Sequence, residues 1–131
     1  MSKVQQISIQ GLNTDCEDWL RKIIFYQEEL NSLNCSLLQV LKNSMINESR
    51  NEIEKFQKRL KDQGQKLNLI LHNVKTKQEI LTQFPKEHTI KSDDLLYNDH
   101  ILLKNEYSEF ESFFLGFKNE CLISLKDEKH L

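Results

Sequence analysis

The chain has 131 residues, of which 38% are hydrophobic and 29% are charged, and it contains three glycines, one proline and no alanine. This length suits a single domain, and so few helix breakers are compatible with a chain that is helical almost throughout. The formal net charge of -2, from 18 basic and 20 acidic residues, gives no positive field that would attract nucleic acid or an anionic membrane surface. Nucleic acid is therefore not an expected partner.

The first 13 residues are predicted to form an extended arm. They are polar, with Val4, Ile7 and Ile9 alternating as in a short strand, but no second strand is predicted to pair with them. The arm lacks the apolar stretch of a secretory signal, and the longest apolar runs of the chain are far shorter than the roughly 20 residues needed to cross a bilayer. We therefore expect a cytoplasmic protein that does not associate with membranes.

The first helix is predicted over residues 14–43. It starts at a capping box, Thr14-x-x-Glu17, in which each side chain can bond an amide at the helix start. Apolar residues then recur in steps of three and four and so lie on one stripe that can pack against other helices. This stripe contains Cys16, Trp19, Ile23, Tyr26, Leu30, Leu33, Leu37 and Val40. Further apolar residues are expected to widen it, namely Ile24, Phe25, Leu38 and Leu41.

The second helix is predicted over residues 48–84, because a second capping box precedes it and Pro85 disfavours a helix at the residue before it. Its apolar stripe carries two polar residues, Gln63 and Lys77. A glycine inside a helix costs about 1 kcal/mol relative to alanine, so Gly64 could bend this helix. The alternative fold is a four-helix bundle with a break near Gly64, but its two half-length helices would leave part of the apolar stripe uncovered.

The third helix is predicted over residues 92–126, after the capping sequence Ser92-Asp93-Asp94. Its stripe contains Leu96, His100, Leu103, Tyr107, Phe110, Phe114, Phe117 and Cys121. Residues 127–131 are expected to fray as a tail. Three helices of matched length joined by short loops predict an all-α, up-down-up antiparallel bundle over residues 14–126, with a coiled-coil-like apolar repeat.

Several short segments resemble a group of small uncharacterised bacterial proteins that consist of three long helices. The likeness extends from about Trp19 to Leu125 and rests on Trp19-Leu20, Phe25-Tyr26-Gln27-Glu28-Glu29-Leu30, Ile53-Glu54-Lys55-Phe56-Gln57, Leu71-His72-Asn73-Val74 and Phe110-x-x-Phe113-Phe114. In that group a histidine often precedes the Phe-Gln pair of the second helix, where this chain has Lys55. The resemblance implies a three-helix fold and no activity.

The sequence carries no recognisable catalytic or metal-binding motif. It has no Glu-x-x-His pair of the kind used in di-metal bundles, and its three glycines do not form a phosphate-binding loop. Cys16, Cys35 and Cys121 are widely spaced without a Cys-x-x-Cys pair, so we expect buried, reduced thiols. We therefore predict a protein that is not an enzyme and that uses no cofactor.

Polar side chains are nevertheless predicted to meet at one end of the core. With the helix ends aligned, the cluster contains Tyr26, His72, His100 and Tyr107, with Trp19 and Lys77 nearby. The favoured interpretation is a hydrogen-bonded layer that fixes the register of the helices. The alternative is a metal or small-ligand site in which His72 and His100 supply imidazoles and Asp99 or Glu106 a carboxylate.

The third helix also carries apolar residues beside its stripe, and Phe113 is predicted to form a second apolar face with Leu102, Leu115 and Leu122. An additional apolar face on a three-helix bundle indicates another helix packed against it. The leading hypothesis is therefore a non-enzymatic interaction or structural module whose partner is a second copy of the chain, giving a homodimer, or a different protein.

Overall fold

The computed structural model describes residues 5–43 and 47–129. Its elements are, in chain order, β1 (Gln6–Ser8), α1 (Ile9–Asn43), α2 (Asn47–Leu81), β2 (Thr89–Lys91) and α3 (Leu95–Lys129). The three helices pack against one another, which confirms the predicted all-α bundle. Among the described residues, none of the helices has a stretch apolar enough and long enough to span a membrane.

The N-terminal segment differs from the predicted arm, because residues 6–8 form a strand and residues 9–13 are helical. Helix α1 begins at Ile9 rather than at Thr14, since the Ser8 hydroxyl accepts a hydrogen bond from the Gly11 amide at 2.9 Å and so caps the first turn. Thr14 instead lies inside the helix, where its hydroxyl donates to the Gln10 carbonyl at 2.9 Å. Residues 1–4 of the predicted arm lie outside the described part of the chain.

The expectation that the N-terminal strand has no partner was wrong. Strand β1 pairs with β2 in an antiparallel register in which Ile7 lies opposite Ile90. Hydrogen bonds extend the pairing at both ends, from the Ile9 amide to the His88 carbonyl and from the Ser92 amide to the Gln5 carbonyl, each 2.9 Å long. Strand β2 lies within the connection between α2 and α3, which was predicted to be a loop. Strand β2 contains a single apolar residue, Ile90, so its sequence has no alternating pattern from which a strand could be predicted.

The other helix boundaries shift by a few residues. Helix α2 ends at Leu81 rather than at residue 84, and hydrogen-bonded turns connect it to Pro85. The helix does not continue through Pro85, because the proline nitrogen has no hydrogen to donate to a helix carbonyl. Helix α3 begins at Leu95, since the Asp94 carboxylate accepts a hydrogen bond from the Leu96 amide at 2.8 Å. It continues to Lys129, so the first residues of the predicted 127–131 tail are helical, and residues 130 and 131 lie outside the described part.

Helix α2 runs through Gly64 without a break, which excludes the four-helix alternative. No atom lies within 4 Å of the position that a Cβ would occupy at Gly64. The helix is held by the apolar residues on either side of the glycine, whose contribution exceeds the small intrinsic penalty of one glycine.

The chain divides into two compact units, each of which takes a segment from every helix. Unit 1 consists of residues 5–24 and 68–109 and includes the two strands; unit 2 consists of residues 25–43, 47–67 and 110–129. The core of unit 1 is formed by Ile9, Leu12, Cys16, Trp19, Ile23, Ile70, Val74, Leu81, Ile90, Leu103 and Tyr107. The core of unit 2 is formed by Tyr26, Leu30, Leu33, Leu37, Ile53, Phe56, Leu60, Leu67, Phe110, Phe114, Phe117, Cys121 and Leu125.

Most residues of the predicted stripes therefore form the core, although Val40 and Leu96 are only partly buried. Of the four residues expected to widen the first stripe, Leu41 is partly buried and the other three are not buried. Ile24, Phe25 and Leu38 are exposed, because a helix in a three-helix bundle buries little beyond its central stripe. The two cysteines on the stripes, Cys16 and Cys121, are buried and free, whereas Cys35 is exposed, contrary to the expectation of three buried thiols.

Candidate functional site

His100 is the buried histidine of unit 1 and the centre of the candidate site. It lies on the inner stripe of α3 and only 2% of it is exposed. Its ring is 4.9 Å from the ring of Trp19 on α1, centroid to centroid, and the Trp19 ring is in turn 6.3 Å from that of Tyr107. The Trp19 ring thus contacts both the imidazole and the Tyr107 ring.

One nitrogen of His100 reaches the surface of α1. Its Nε2 lies 3.0 Å from a carboxylate oxygen of Asp15, whose side chain is 55% exposed. An ionised carboxylate can only accept hydrogen bonds, so Nε2 carries the proton and donates it. In neutral His100 the other nitrogen, Nδ1, is then an acceptor. It is buried and has no hydrogen-bond partner among the described residues.

Lys77 brings a second polar group into the same core from α2. It is 5% exposed, and its ammonium donates to the carbonyl of Leu96, one helical turn before His100. Burial lowers the pKa of Lys77, and the negative charges of Asp99 and Asp94 oppose this effect only in part. Lys77 occupies a position where the sequence pattern called for an apolar residue, and it connects α2 to the first turn of α3.

Burial is the main reason why His100 favours its neutral form. Burial lowers the pKa of His100, the hydrogen bond to Asp15 raises it in part, and the positive charges of Lys77 and Lys104 lower it further. Cys16, also in this core, is protonated at neutral pH because burial raises the pKa of its thiol to about 11. The group as a whole is a small polar cluster inside an apolar core.

The four predicted cluster residues are placed differently from one another. His100 and Tyr107 both lie in the core of unit 1, each next to the Trp19 ring, whereas His72 belongs to the same unit but is exposed. Tyr26 belongs to unit 2, where its hydroxyl donates to a Glu111 carboxylate oxygen at 2.7 Å and its ring packs edge-on against Phe110 and Phe114.

The two carboxylates that complete these polar contacts, Asp15 and Glu111, were not predicted. Both lie on the outer side of a helix, where a charged residue is most often only solvated. A signal for Asp15 existed, because a buried histidine needs a partner and Asp15 directly precedes Cys16 on the inner stripe. The carboxylates that were predicted, Asp99 and Glu106, are both exposed.

No family model, curated protein or solved structure matches this chain. Within residues 5–43 and 47–129, no three histidine, cysteine, aspartate or glutamate side chains lie close enough together to hold a metal ion. In unit 1, hydrogen bonds join the three helices: His100 on α3 bonds to Asp15 on α1, and Lys77 on α2 bonds to the Leu96 carbonyl on α3.

The outer surface of α3 is the second candidate, and its apolar residues do not form the single face that was predicted. At about 100° per residue, Leu115 and Leu122 lie together on one side of the helix, whereas Phe113 lies roughly 160° away from them. The Phe113 side faces α2, because the Lys66 ammonium lies 5.7 Å from the centre of the Phe113 ring. The leucine side borders α1 but remains exposed, because Lys118, which lies between the two leucines in the sequence, pairs with Glu29.

Proposed function

We propose that the chain is a non-enzymatic helical module that associates with a second copy of itself through the Leu115 and Leu122 side of α3. The observation that carries this proposal is the exposure of both leucines, 54% for Leu115 and 46% for Leu122, seven residues apart on one side of a packed helix. Two exposed leucines at heptad spacing are typical of a helix that pairs with another helix.

The charges on this side of α3 favour a second copy as the occupant. If two α3 helices pack antiparallel about a two-fold axis, Leu115 of each copy meets Leu122 of the other, and by the same register Glu111 meets Lys126. These two residues have opposite charges. Glu111 already accepts from Tyr26, and a carboxylate with two oxygens can accept from a lysine as well. The surface is therefore complementary to itself.

Sedimentation velocity over about 10 μM to 1 mM tests this proposal, because a surface with so few apolar side chains supports only a weak dimer. We expect the average mass to rise with concentration. Leu122→Gln should raise the dissociation constant about tenfold or more, and Lys126→Glu should raise it too by placing two carboxylates opposite each other.

Leu102→Gln is the matched control, because Leu102 is an exposed leucine of the same helix on its other side. A wild-type chain that remains monomeric at every concentration contradicts self-association. Equal weakening of the dimer by Leu102→Gln and Leu122→Gln contradicts the choice of surface.

Membership of the bacterial three-helix group and a cytoplasmic location belong to the same proposal and rest on the sequence arguments above.

A metal or small-ligand site is the second candidate function, and the buried Nδ1 of His100 without a partner is the observation that favours it. Elemental analysis of the purified protein tests it, together with the thermal shift caused by added Zn²⁺. Stoichiometric metal that disappears in His100→Ala supports this candidate. No bound metal and no shift in the wild-type protein contradict its metal form.

A further inference from the structure

We propose that His100 makes unit 1 an acid-sensitive part of the bundle, which opens when the imidazole is protonated while unit 2 remains packed. This inference does not depend on self-association. It rests on the placement of the imidazole: Nε2 bonded to Asp15, and Nδ1 buried in the core with no acceptor among the described residues.

Protonation of His100 adds an N–H donor at Nδ1, for which the described residues of the folded unit provide no acceptor. The neutral ring donates from Nε2 to Asp15, and its Nδ1 lone pair is left without a partner at a modest cost. The protonated ring carries an N–H at Nδ1 as well, and a buried charged donor without an acceptor is far more unfavourable than a neutral acceptor in the same place. In the unfolded chain, both N–H groups are bonded to water.

The charged groups around the ring do not compensate for this loss. Asp15 on α1 is the only negative charge that contacts the imidazole among the described residues, and its side chain is 55% exposed, so solvent screens it. Lys77 on α2 and Lys104 on α3 are both positive and oppose a charge on the ring. Asp99 and Asp94 act on Lys77, and Cys16 is neutral.

The direction of the pH effect follows from these contacts. The pKa of His100 in the folded chain is below its ordinary value of 6.5, so near and below that pH the unfolded state binds more protons than the folded state does. Unit 1 therefore has its full stability above pH 6.5 and loses stability as the pH falls through the pKa of the folded form.

The effect is confined to unit 1 because of where the histidines lie. His72, His88 and His100 all belong to unit 1, and the described residues of unit 2 include no histidine. His72 and His88 are exposed and do not belong to the core. The buried polar residue of unit 2, Gln63, does not titrate. Unit 2 is thus an internal reference for unit 1.

Hydrogen exchange measured by mass spectrometry on the full chain at about pH 7.5 and about pH 5 tests the proposal, once intrinsic exchange rates are corrected for pH. We expect peptides from residues 9–24, 68–81 and 95–109 to lose about tenfold more protection than peptides from residues 25–43 and 110–126. His100→Gln keeps an N–H for Asp15 but does not titrate, and it should abolish the difference between the units. His72→Gln makes the same change at an exposed position of unit 1 and should leave the difference intact.

Equal loss of protection in both units overturns the proposal, and so does an unchanged difference in His100→Gln. A second measurement needs no variant at His100: the titration of its ring followed by NMR in the wild-type chain. An apparent pKa below 6.5 is expected, and one at or above 6.5 overturns the proposal even if His100→Gln does not fold.

Discussion

Neighbouring residues of α3 differ sharply in what they contribute to the fold, and the two adjacent phenylalanines show this most clearly. Phe114 is 1% exposed and packs against Tyr26 and Phe110, whereas Phe113 is 48% exposed and lies nearly parallel to the Phe117 ring, with the ring centres 6.5 Å apart. A one-residue step turns a side chain by about 100° around a helix, which is enough to move it from the core to the surface.

We predict that replacing Phe113 or Phe114 by alanine lowers the free energy of unfolding by different amounts. Phe114→Ala should lower the free energy of unfolding by about 3–5 kcal/mol, because it removes a buried ring and leaves a cavity. Phe113→Ala should lower it by less than about 1.5 kcal/mol, since that ring is half exposed. Denaturant unfolding followed by circular dichroism measures both values, and similar losses for the two variants would show that Phe113 is also part of the core.

The sequence predicted the buried residues of the candidate site but not all of their contacts. The inner stripe predicted that His100 and Tyr107 are buried, because their spacing follows the helix repeat. It did not identify Asp15, since a surface carboxylate that reaches inward has the same local sequence context as one that is only solvated. It also grouped Tyr26 with the histidines, because aligning helix ends gives an approximate height and not a contact.

Among the elements, the helices follow from the apolar spacing, and their ends follow from single hydrogen bonds. The spacing accounts for three helices and for nearly every core residue, because a repeat maintained over 30 residues is a strong signal. The ends are harder to predict, since several serine, threonine and aspartate residues near each end have a side-chain oxygen that can cap the helix. Thr14 and Ser92 were expected to do so, and the structure has Ser8 and Asp94 in that role.

The start of α1 gives a test of this difference. Ser8→Ala should lower stability by about 0.5–2 kcal/mol, because it removes the acceptor for the Gly11 amide. Thr14→Ala should be close to neutral or slightly stabilising, since Thr14 lies in the helix interior, where alanine is the better helix former. Thermal unfolding of the two variants measures the effects. The opposite order of stabilities would indicate that α1 begins at Thr14.

The continuity of α2 gives a second test among the elements. Gly64→Ala should raise the free energy of unfolding by about 0.8–1 kcal/mol, because the added methyl group meets no atom and alanine loses less backbone entropy in a helix. Chemical denaturation is the measurement. A loss of stability on this substitution would mean that α2 bends at the glycine and needs its flexibility.

At the scale of the whole molecule, the two units differ in what their cores contain. Unit 1 encloses an imidazole and an ammonium group, whereas the core of unit 2 is built around phenylalanine rings and contains Gln63 as its buried polar residue. Polar groups in a core add directional contacts but little net stability, because removing them from water offsets much of the gain. The response of the molecule to pH should therefore differ between its units.

The reactivity of the cysteine thiols tests the packing of both units, because Cys16 is buried in unit 1 and Cys121 in unit 2. In the native protein, a thiol reagent should modify one cysteine rapidly, because Cys35 is exposed while Cys16 and Cys121 are buried, with thiol pKa values raised to about 11. Under denaturing conditions all three should react. Mass spectrometry of the labelled protein gives the count, and rapid native labelling of Cys16 would show that the core of unit 1 is accessible.

The pairing of β1 with β2 also limits how early the protein can fold during its synthesis. Gln6 lies opposite Lys91, so β1 has no partner until β2 and the two helices between them have been synthesised. Each unit likewise requires a segment of α3, which follows α1 and α2 in the chain. The nascent chain therefore carries two helices that lack a packing partner until α3 has also been synthesised, and we expect both units to fold only after that.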